Sequence, residues 1–390
     1  MKKLLLSAAL ILLGASLAVA QSTAQSTAQT EAEAARAAVA QAEPHFEGRL
    51  RLDVRFDNRE KDALDIPAVP SQTLFPVRLV PVAGMGLFDT RGGHHSVMLG
   101  ASTILDMGIG LKSYRPVEPV VYYNYDSPLY SIYAGKFERV DLIGEYPRPM
   151  WMMAFFDNIV DGFALQYHAA QGFAEAVLDW DGMGTRTQRE SFRVNSYGEY
   201  NPVNNPSLKW LWAGYSLDFY HLSSRTGAGD GVVDHVMAHP WVGAHLEHFV
   251  PWFDLLTVQA GWLQAFDRDR KIGFEGEPLS PNQKAPWFRA GGVTVEIALE
   301  RRNVGIRNLF YTGDVQMPLH GLYGSTLYKG DPMYSAVPTN SYLQIYWTPS
   351  LGRGVDLNLE AAFQTDGRKL GSQQLFVVGI ELDNDFFGRK

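Results

Sequence analysis

The sequence predicts an all-β protein, a closed antiparallel transmembrane β-barrel of about 16 strands, within a range of about 14 to 18. Three observations predict this fold. Apolar and polar residues alternate with a period of two along most of the chain from His45 onward, which is the period of a strand. Many alternating runs exceed the roughly five or six residues usual in soluble strands and reach the roughly 9–11 that a tilted strand needs to cross a bilayer. The connections between runs alternate between short and long, as in outer-membrane barrels.

The composition removes several classes of protein. The chain has 390 residues, of which 46% are hydrophobic and 19% are charged, and this is too apolar for a disordered chain. The absence of cysteine excludes a disulfide scaffold, a cysteine-ligated metal site and a lipid-modified N-terminal cysteine. A net charge of −8 argues against a nucleic-acid partner. No cofactor is predicted.

The chain divides into three parts. Residues 1–20 have the form of a secretory signal peptide, with a basic start at Lys2, an apolar stretch and small residues before Gln21. The alternative is an uncleaved membrane anchor, for which the apolar stretch is short. Residues 21–44, rich in Gln, Ala, Ser and Thr, are predicted to be a flexible periplasmic leader. Residues 45–390 are predicted to form the barrel, which places the protein in the outer membrane of a Gram-negative cell.

The first strand displays the pattern on which the others rest. Across residues 46–57, the large apolar side chains occupy even positions and the charged ones odd positions, whereas a helix would scatter the charges around its circumference. The second run is the least regular because Pro76 and Pro81 interrupt it. The same alternation predicts strands, in chain order, at 46–57, 75–88, 95–106, 119–125, 129–138, 160–170, 172–180, 191–200, 211–219, 235–249, 254–266, 293–300, 304–311, 341–348, 355–364 and 372–387.

Each predicted strand is expected to turn its apolar face to lipid and its polar face to a lumen. If the first strand runs outward, the longer connections are external and the shorter ones periplasmic, and the longest external loops are 139–159, 267–287 and 312–340. Aromatic residues near the ends of the runs are expected to form girdles at the two membrane surfaces. The tryptophans that predict these girdles are Trp180, Trp210, Trp241, Trp252, Trp262, Trp287 and Trp347.

Three segments carry a resemblance at the level of architecture. They are the sequence Asp179-Trp180-Asp181-Gly182, the segment 323–332 and the closing segment 374–387. On these segments the chain resembles porin-like outer-membrane barrels of Gram-negative bacteria. The resemblance implies passive passage or export of solutes through a pore, and it identifies no cargo.

Charged residues on the predicted inner face are the candidate pore lining. Basic and acidic walls that face one another create a transverse field across a narrow pore, and this field disfavours apolar solutes. The alternative is that these charges only pair with one another and hydrate the interior. The candidate pore-lining residues are Arg49, Arg51, Asp53, Arg55, Glu175, Asp179, His245, Glu247, Glu296, Asp356 and Glu360.

One external loop is a candidate constriction. The stretch 145–157 is too apolar to extend freely into water, and folding it into the barrel mouth would bury its apolar residues and narrow the opening. The loop 312–340 carries three tyrosines that either line a path for sugar rings or pack on the loop itself. The candidate constriction residues are Met150, Trp151, Phe155 and Phe156.

No catalytic or metal site is predicted. Four histidines lie between residues 235 and 248, but Pro240 and the strand alternation argue against a metal-binding helix. His245 and Glu247 could form at most a weak metal pair, and His94 with its neighbour is assigned to a polar periplasmic turn. Since no G-x-S-x-G nucleophile motif occurs, we do not expect an enzyme.

The expected function is an outer-membrane channel for small or medium hydrophilic solutes. One alternative is the passage or export of polysaccharide or another surface polymer within a larger assembly. The other is a structural or adhesin-like barrel whose pore is plugged. The expected partners are outer-membrane lipid and lipopolysaccharide, small hydrophilic solutes or sugars, and either a second copy of the chain or an export-complex protein.

Overall fold

The computed structural model describes residues 44–66, 70–89, 91–108, 112–113, 116–152, 155–205, 207–225, 227, 231–280, 283–352 and 354–384. The predicted signal peptide and the leader through residue 43 lie outside the described residues, as does the end of the closing segment after residue 384. In these described ranges, no helix is long and apolar enough to cross a membrane.

The chain forms one antiparallel sheet that closes on itself. Within the described ranges the sheet contains eighteen strands, of which β2 (Gln72–Leu74) and β5 (Lys112–Ser113) are short additions to a barrel of sixteen. The long strands are β1 (His45–Glu60), β3 (Pro76–Phe88), β4 (His94–Asp106), β6 (Glu118–Asp126), β7 (Tyr130–Glu138), β8 (Ile159–Ala169), β9 (Gly172–Gly182), β10 (Ser191–Tyr200), β11 (Leu211–Leu222), β12 (Val233–His245), β13 (Leu255–Asp269), β14 (Phe288–Arg301), β15 (Val304–Gly313), β16 (Thr339–Trp347), β17 (Val355–Thr365) and β18 (Leu370–Asp383).

The barrel closes between its first and last strands. Strand β1 pairs with β3 on one side and with β18 on the other, so that Leu52 lies opposite Leu79 and Ile380. Every other long strand pairs with the long strands before and after it in the chain. The prediction of an all-β closed barrel with about 16 strands is therefore confirmed.

Each predicted run coincides with one long strand, including the run with two prolines. Since proline has no N–H to donate, the β3–β4 ladder is interrupted at Pro81 and the β12–β13 ladder at Pro240, while the register on either side is kept. The run expected at 293–300 begins five residues earlier, at Phe288, and the run expected at 235–249 is too long at its end. Strand β12 ends at His245, and a single 3-10 turn, Leu246–His248, follows it.

The connections alternate between the two ends of the barrel, and all those longer than ten residues lie at one end. One end, the short-turn end, carries 89–93, 127–129, 170–171, 201–210, 246–254, 302–303 and 348–354. The other, the long-loop end, carries 61–75, 107–117, 139–158, 183–190, 223–232, 270–287, 314–338 and 366–369. The turn between β14 and β15 is a two-residue hairpin in which Arg302 and Asn303 have φ of 51° and 65°, as a tight strand-to-strand turn requires.

The two faces of the sheet differ in chemistry. Outward-pointing apolar side chains are well exposed, among them Phe46 at 67%, Leu99 at 61% and Val242 at 64%. Four of the predicted girdle tryptophans are also exposed, namely Trp180, Trp252, Trp262 and Trp347. Trp241 does not belong to a girdle, because it is buried and packs edge-on against Trp212 with ring centroids 4.4 Å apart.

The interior is less uniformly polar than the alternation predicts. One buried apolar cluster, which includes Val80, Val120 and Phe137, lines the wall formed by β3 to β9. A second cluster joins the wall residues Met237 and Leu263 to residues of two long loops that fold into the barrel. These loops bring apolar side chains with them, and apolar positions on the inner wall supply the surface on which they pack.

Candidate functional site

The candidate site is the lumen together with two loops that fold into it from the long-loop end. The first inserted loop comprises residues 139–158 and the second comprises residues 314–338. They are joined by backbone hydrogen bonds, because Met152 N donates to Lys329 O at 3.0 Å and Asp331 N donates to Arg148 O at 2.8 Å. The two loops therefore form one body inside the barrel.

The first inserted loop crosses the lumen. The guanidinium of Arg148 lies 3.5 Å from the ring centroid of Tyr342 on β16. In its middle, Trp151 lies under two guanidinium groups, those of Arg139 at 4.1 Å and of Arg193 on β10 at 5.5 Å. Tyr342 and Arg193 lie on β16 and β10, which are well separated in the wall, whereas Arg139 belongs to the loop itself.

The far part of the same loop reaches β1 and β3, on the opposite side of the barrel from β10. The guanidinium of Arg55 on β1 lies 5.2 Å from the ring centroid of Phe155, and that of Arg78 on β3 lies 4.9 Å from it. Of the other candidate constriction residues, Met150, Trp151 and Phe156 are buried at 1%, 8% and 8% exposure. Stacking on cationic groups holds the aromatic side chains of this loop in place.

A buried carboxylate fastens the second inserted loop. Asp331 accepts hydrogen bonds from Arg148 Nη2 at 2.8 Å, from Gln364 Nε2 on β17 at 2.8 Å and from the backbone N of Met333 at 3.0 Å. Burial alone would raise the pKa of Asp331, but Arg148, the nearby Lys61 and the backbone donor outweigh it and lower that pKa. One carboxylate thus ties both loops to the wall.

Lys61 completes this group. Its Nζ donates to Gln364 Oε1 at 2.7 Å, and the side chain is buried at 4% exposure. Burial lowers the pKa of Lys61 to about 8, although the Asp331 carboxylate opposes the shift. Its charge is therefore partly lost just above neutral pH.

The charged residues of β1 lie on one face and make contacts through the interior. Arg49 binds Asp141 at 2.6 Å and Glu138 at 2.7 Å, and neither residue lies on a strand next to β1, so this side chain extends into the barrel. Arg51 contacts the Glu138 and Glu381 carboxylates. The pore-lining candidates of this strand are thus engaged in ion pairs.

The two remaining candidates on β1 pair within the wall. Asp53 accepts from Arg78 Nε on the neighbouring strand at 2.8 Å. Arg55 donates to Asp57 at 2.8 Å, and the latter carboxylate is fully buried and also accepts from Arg59 at 2.7 Å. The guanidinium groups of Arg55 and Arg78 in these pairs lie beside the Phe155 ring of the first inserted loop.

Two other candidates anchor this loop. Glu175, exposed by 1%, accepts from the backbone N of Ile143 at 2.7 Å and from Gln166 Nε2 at 2.8 Å. Asp179 pairs with Arg139 and accepts from the backbone N of Asp161 at 3.0 Å. Their geometry assigns them to holding the loop rather than to direct contact with solvent.

A solvent-exposed group of charges lies elsewhere in the lumen. Arg307 on β15 donates to Glu296 on β14 at 2.7 Å, and its side chain is 42% exposed. Glu145 of the first inserted loop lies 3.7 Å from the same guanidinium, with its side chain 84% exposed. On β17, Glu360 accepts from Tyr342 Oη at 3.2 Å. This group is the part of the candidate site that water reaches most freely.

Three candidates lie at the short-turn end. His245 is the last residue of β12, and its Nδ1 lies 3.0 Å from Glu247 Oε1. Glu247 lies in the 3-10 turn that follows the strand. Its other carboxylate oxygen accepts from the backbone N of Leu256 on β13. Asp356 is exposed near the start of β17, on the same strand face as Glu360.

Sequence reasoning missed a buried charged network beneath the second inserted loop. Asp218 accepts from Arg193 and from Asn195 Nδ2 at 2.9 Å, and it lies 3.5 Å from His235 Nε2. The His235 Nδ1 in turn lies 2.7 Å from Asp267. Polar residues at inward positions of β10 to β13 are the signal that could have located this network.

Comparisons with known proteins give an architectural likeness. No protein-family model matches the chain, and no curated protein matches it. Among solved structures, Pseudomonas aeruginosa OpdK with vanillate is 8% identical with a TM-score of 0.39, and the match covers 87% of this chain and 98% of that one. A mutant of Rh. blastica porin is 11% identical (TM-score 0.41, 87% and 100% covered), and P. aeruginosa OprD is 10% identical (TM-score 0.39, 87% and 93% covered).

Proposed function

We propose that the protein is an outer-membrane channel that passes small hydrophilic solutes through a charged lumen narrowed by the two inserted loops. The observation that carries this proposal is the contrast between an apolar outer face and an interior in which an ion pair joins two strands that are not neighbours, Arg49 on β1 and Glu138 on β7. An apolar outer face suits lipid tails, and a charged interior suits water and polar solutes.

The direction of the barrel follows from its ends. Short periplasmic turns and longer external loops are the rule in outer-membrane barrels, so the short-turn end would face the periplasm. The inserted loops would then enter from the outside, and the closing strand would end in the periplasm. Bilayer lipid and lipopolysaccharide would surround the wall.

The charged groups give the proposed pore its selectivity. Arg49, Arg55 and Arg78 lie on the wall sector touched by Phe155, whereas Glu145 and Glu296 lie around Arg307. A solute that passes the loops would meet these ion pairs, whose charged groups favour polar and charged molecules over apolar ones.

A plugged barrel is the second candidate, and one observation favours it. Met150, Met317, Leu327 and Tyr334 of the two loops are buried together with wall residues, as in a packed core. Packing of this kind stabilises a closed interior. The conductance of the protein separates the two candidates.

The test is a recording of single-channel current from purified full-length protein in planar bilayers. The channel proposal predicts discrete current steps, and addition of a permeating sugar should reduce the current reversibly if the sugar uses the same path. Complete silence from folded, inserted protein would contradict the channel and support the plug. Folding is checked by the change in electrophoretic mobility on heating.

A further inference from the structure

Three side chains come together on the inner face of the wall at the short-turn end. His45 and Glu47 lie on the same face of β1, and His94 is the first residue of β4. Glu47 Oε1 lies 2.9 Å from His45 Nε2 and 2.7 Å from His94 Nε2. All three ligand atoms lie within 4.8 Å of one another. Two imidazoles thus converge on one carboxylate oxygen.

Strand β3 separates β1 from β4, and a glycine makes the convergence possible. Gly86 of β3 pairs with His45 on one side and with Ser96 on the other. A Cβ atom on Gly86 would lie 2.1 Å from Glu47 Oε1 and 2.8 Å from His94 Nε2. The missing side chain therefore leaves the space in which the three polar groups meet.

The cluster is also partly shielded. The side chains of Glu47 and His94 are 15% and 23% exposed, and that of His45 is 41% exposed. The ring of Phe88 packs against both histidines, with centroid distances of 5.7 Å to His45 and 4.7 Å to His94. The Phe88 ring thus covers one side of the cluster, and His45 is the most exposed of the three side chains.

We propose that His45, Glu47 and His94 form a binding site for a divalent transition-metal ion, with zinc the best fit. Two imidazole nitrogens and one carboxylate oxygen are a usual three-ligand set for zinc with a fourth position open. Zinc bonds of about 2.0–2.1 Å in a tetrahedron place neighbouring ligand atoms about 3.3 Å apart. The two nitrogen-to-oxygen distances of 2.9 and 2.7 Å would each lengthen to that spacing by about half an ångström.

The bound ion would join the first strand of the barrel to β4 across β3. It would also place net positive charge on the inner rim, since two neutral imidazoles and one carboxylate only partly offset a divalent ion. His94 is the first residue of β4 and not part of the predicted polar turn, and alternation along the chain does not reveal that β4 begins one strand away from the start of β1. This inference does not depend on whether the barrel conducts.

The test is a zinc titration of the full chain by calorimetry, with the protein purified without a polyhistidine tag and stripped of metal. We expect one zinc ion per chain, and cobalt(II) in its place should give the intense visible absorption of a tetrahedral site. His94→Asn and His45→Asn should each weaken binding by more than about tenfold, the lower end of the loss that even outer-shell changes cause.

Two further variants make the test specific. Gly86→Ala removes no ligand but fills the space, and it displaces only the flexible ends of Glu47 and His94, so it should abolish binding while the barrel still folds. His95→Asn is the matched control. His95 lies on the other face of β4, where its Nδ1 contacts the Tyr123 hydroxyl of β6, so this substitution should leave zinc binding unchanged. Equal zinc binding by wild type and by both the His45 and His94 variants would overturn the proposal, as would its complete absence from wild type.

Discussion

Deletion of residues 148–156 is expected to raise the single-channel conductance of the protein. This stretch carries Arg148, Trp151 and Phe155, whose contacts reach β16, β10, and β1 with β3. Removing this stretch should widen the path, because it takes away the side chains that cross the lumen and leaves the charged side chains of the wall in place. Unchanged conductance in the folded deletion variant would mean that the loop does not restrict the path.

The single substitution Asp331→Asn is expected to loosen the same constriction without removing it. An amide cannot accept the three hydrogen bonds that Arg148, Gln364 and the Met333 backbone donate to the carboxylate, and breaking a buried ion pair costs about 3–5 kcal/mol. We expect larger and noisier current steps. The matched control is Asp65→Asn, a loop carboxylate at the same end that is 84% exposed and pairs with Lys369, and it should leave the current unchanged.

Asp218→Asn is expected to have the largest effect of any single substitution on the stability of the barrel. The carboxylate is 2% exposed, and its loss leaves the guanidinium of Arg193, exposed by 1%, without its charged partner. Breaking such a pair costs about 3–5 kcal/mol. The loss should reach the second inserted loop too, because Arg193 Nη2 donates to Leu327 O at 3.0 Å.

This prediction is measured as the temperature at which the folded form disappears in heat-dependent electrophoresis and circular dichroism. Asp65→Asn is the control here too, because Asp65 pairs with Lys369 between two loops at 84% and 44% exposure, where an ion pair contributes about 0–1 kcal/mol. An Asp218 variant as heat-stable as the Asp65 variant would show that the buried network contributes little to stability.

The fold was predictable because alternation is a local signal. In β1, every residue from 46 to 57 except Gly48 shows by its own chemistry which face it occupies, and the burial of Arg51 and Asp57 agrees with the odd positions facing inward. Pro81 weakened the second run in the sequence but not the strand, because one missing N–H interrupts a ladder without changing the direction of the chain.

The site was predictable only in part. The sequence singled out 145–157 as too apolar for water, and Met150 and Trp151 of this stretch are buried inside the barrel. It could not distinguish Glu175, which holds backbone N–H groups of the loop, from Glu296, which pairs with a solvent-exposed arginine. That distinction depends on contacts between segments far apart in sequence, as does the meeting of His45 with His94.

The most direct test of the proposed narrowed lumen uses the absence of cysteine from the chain. Glu145→Cys introduces one thiol beside Arg307, and Val242→Cys introduces one on the outer face at a residue that is 64% exposed. A charged methanethiosulfonate reagent should change the single-channel current of the Glu145 variant stepwise and leave that of the Val242 variant unchanged. A Glu145 variant that is fully labelled, as shown by mass spectrometry, and whose current does not change would contradict the account.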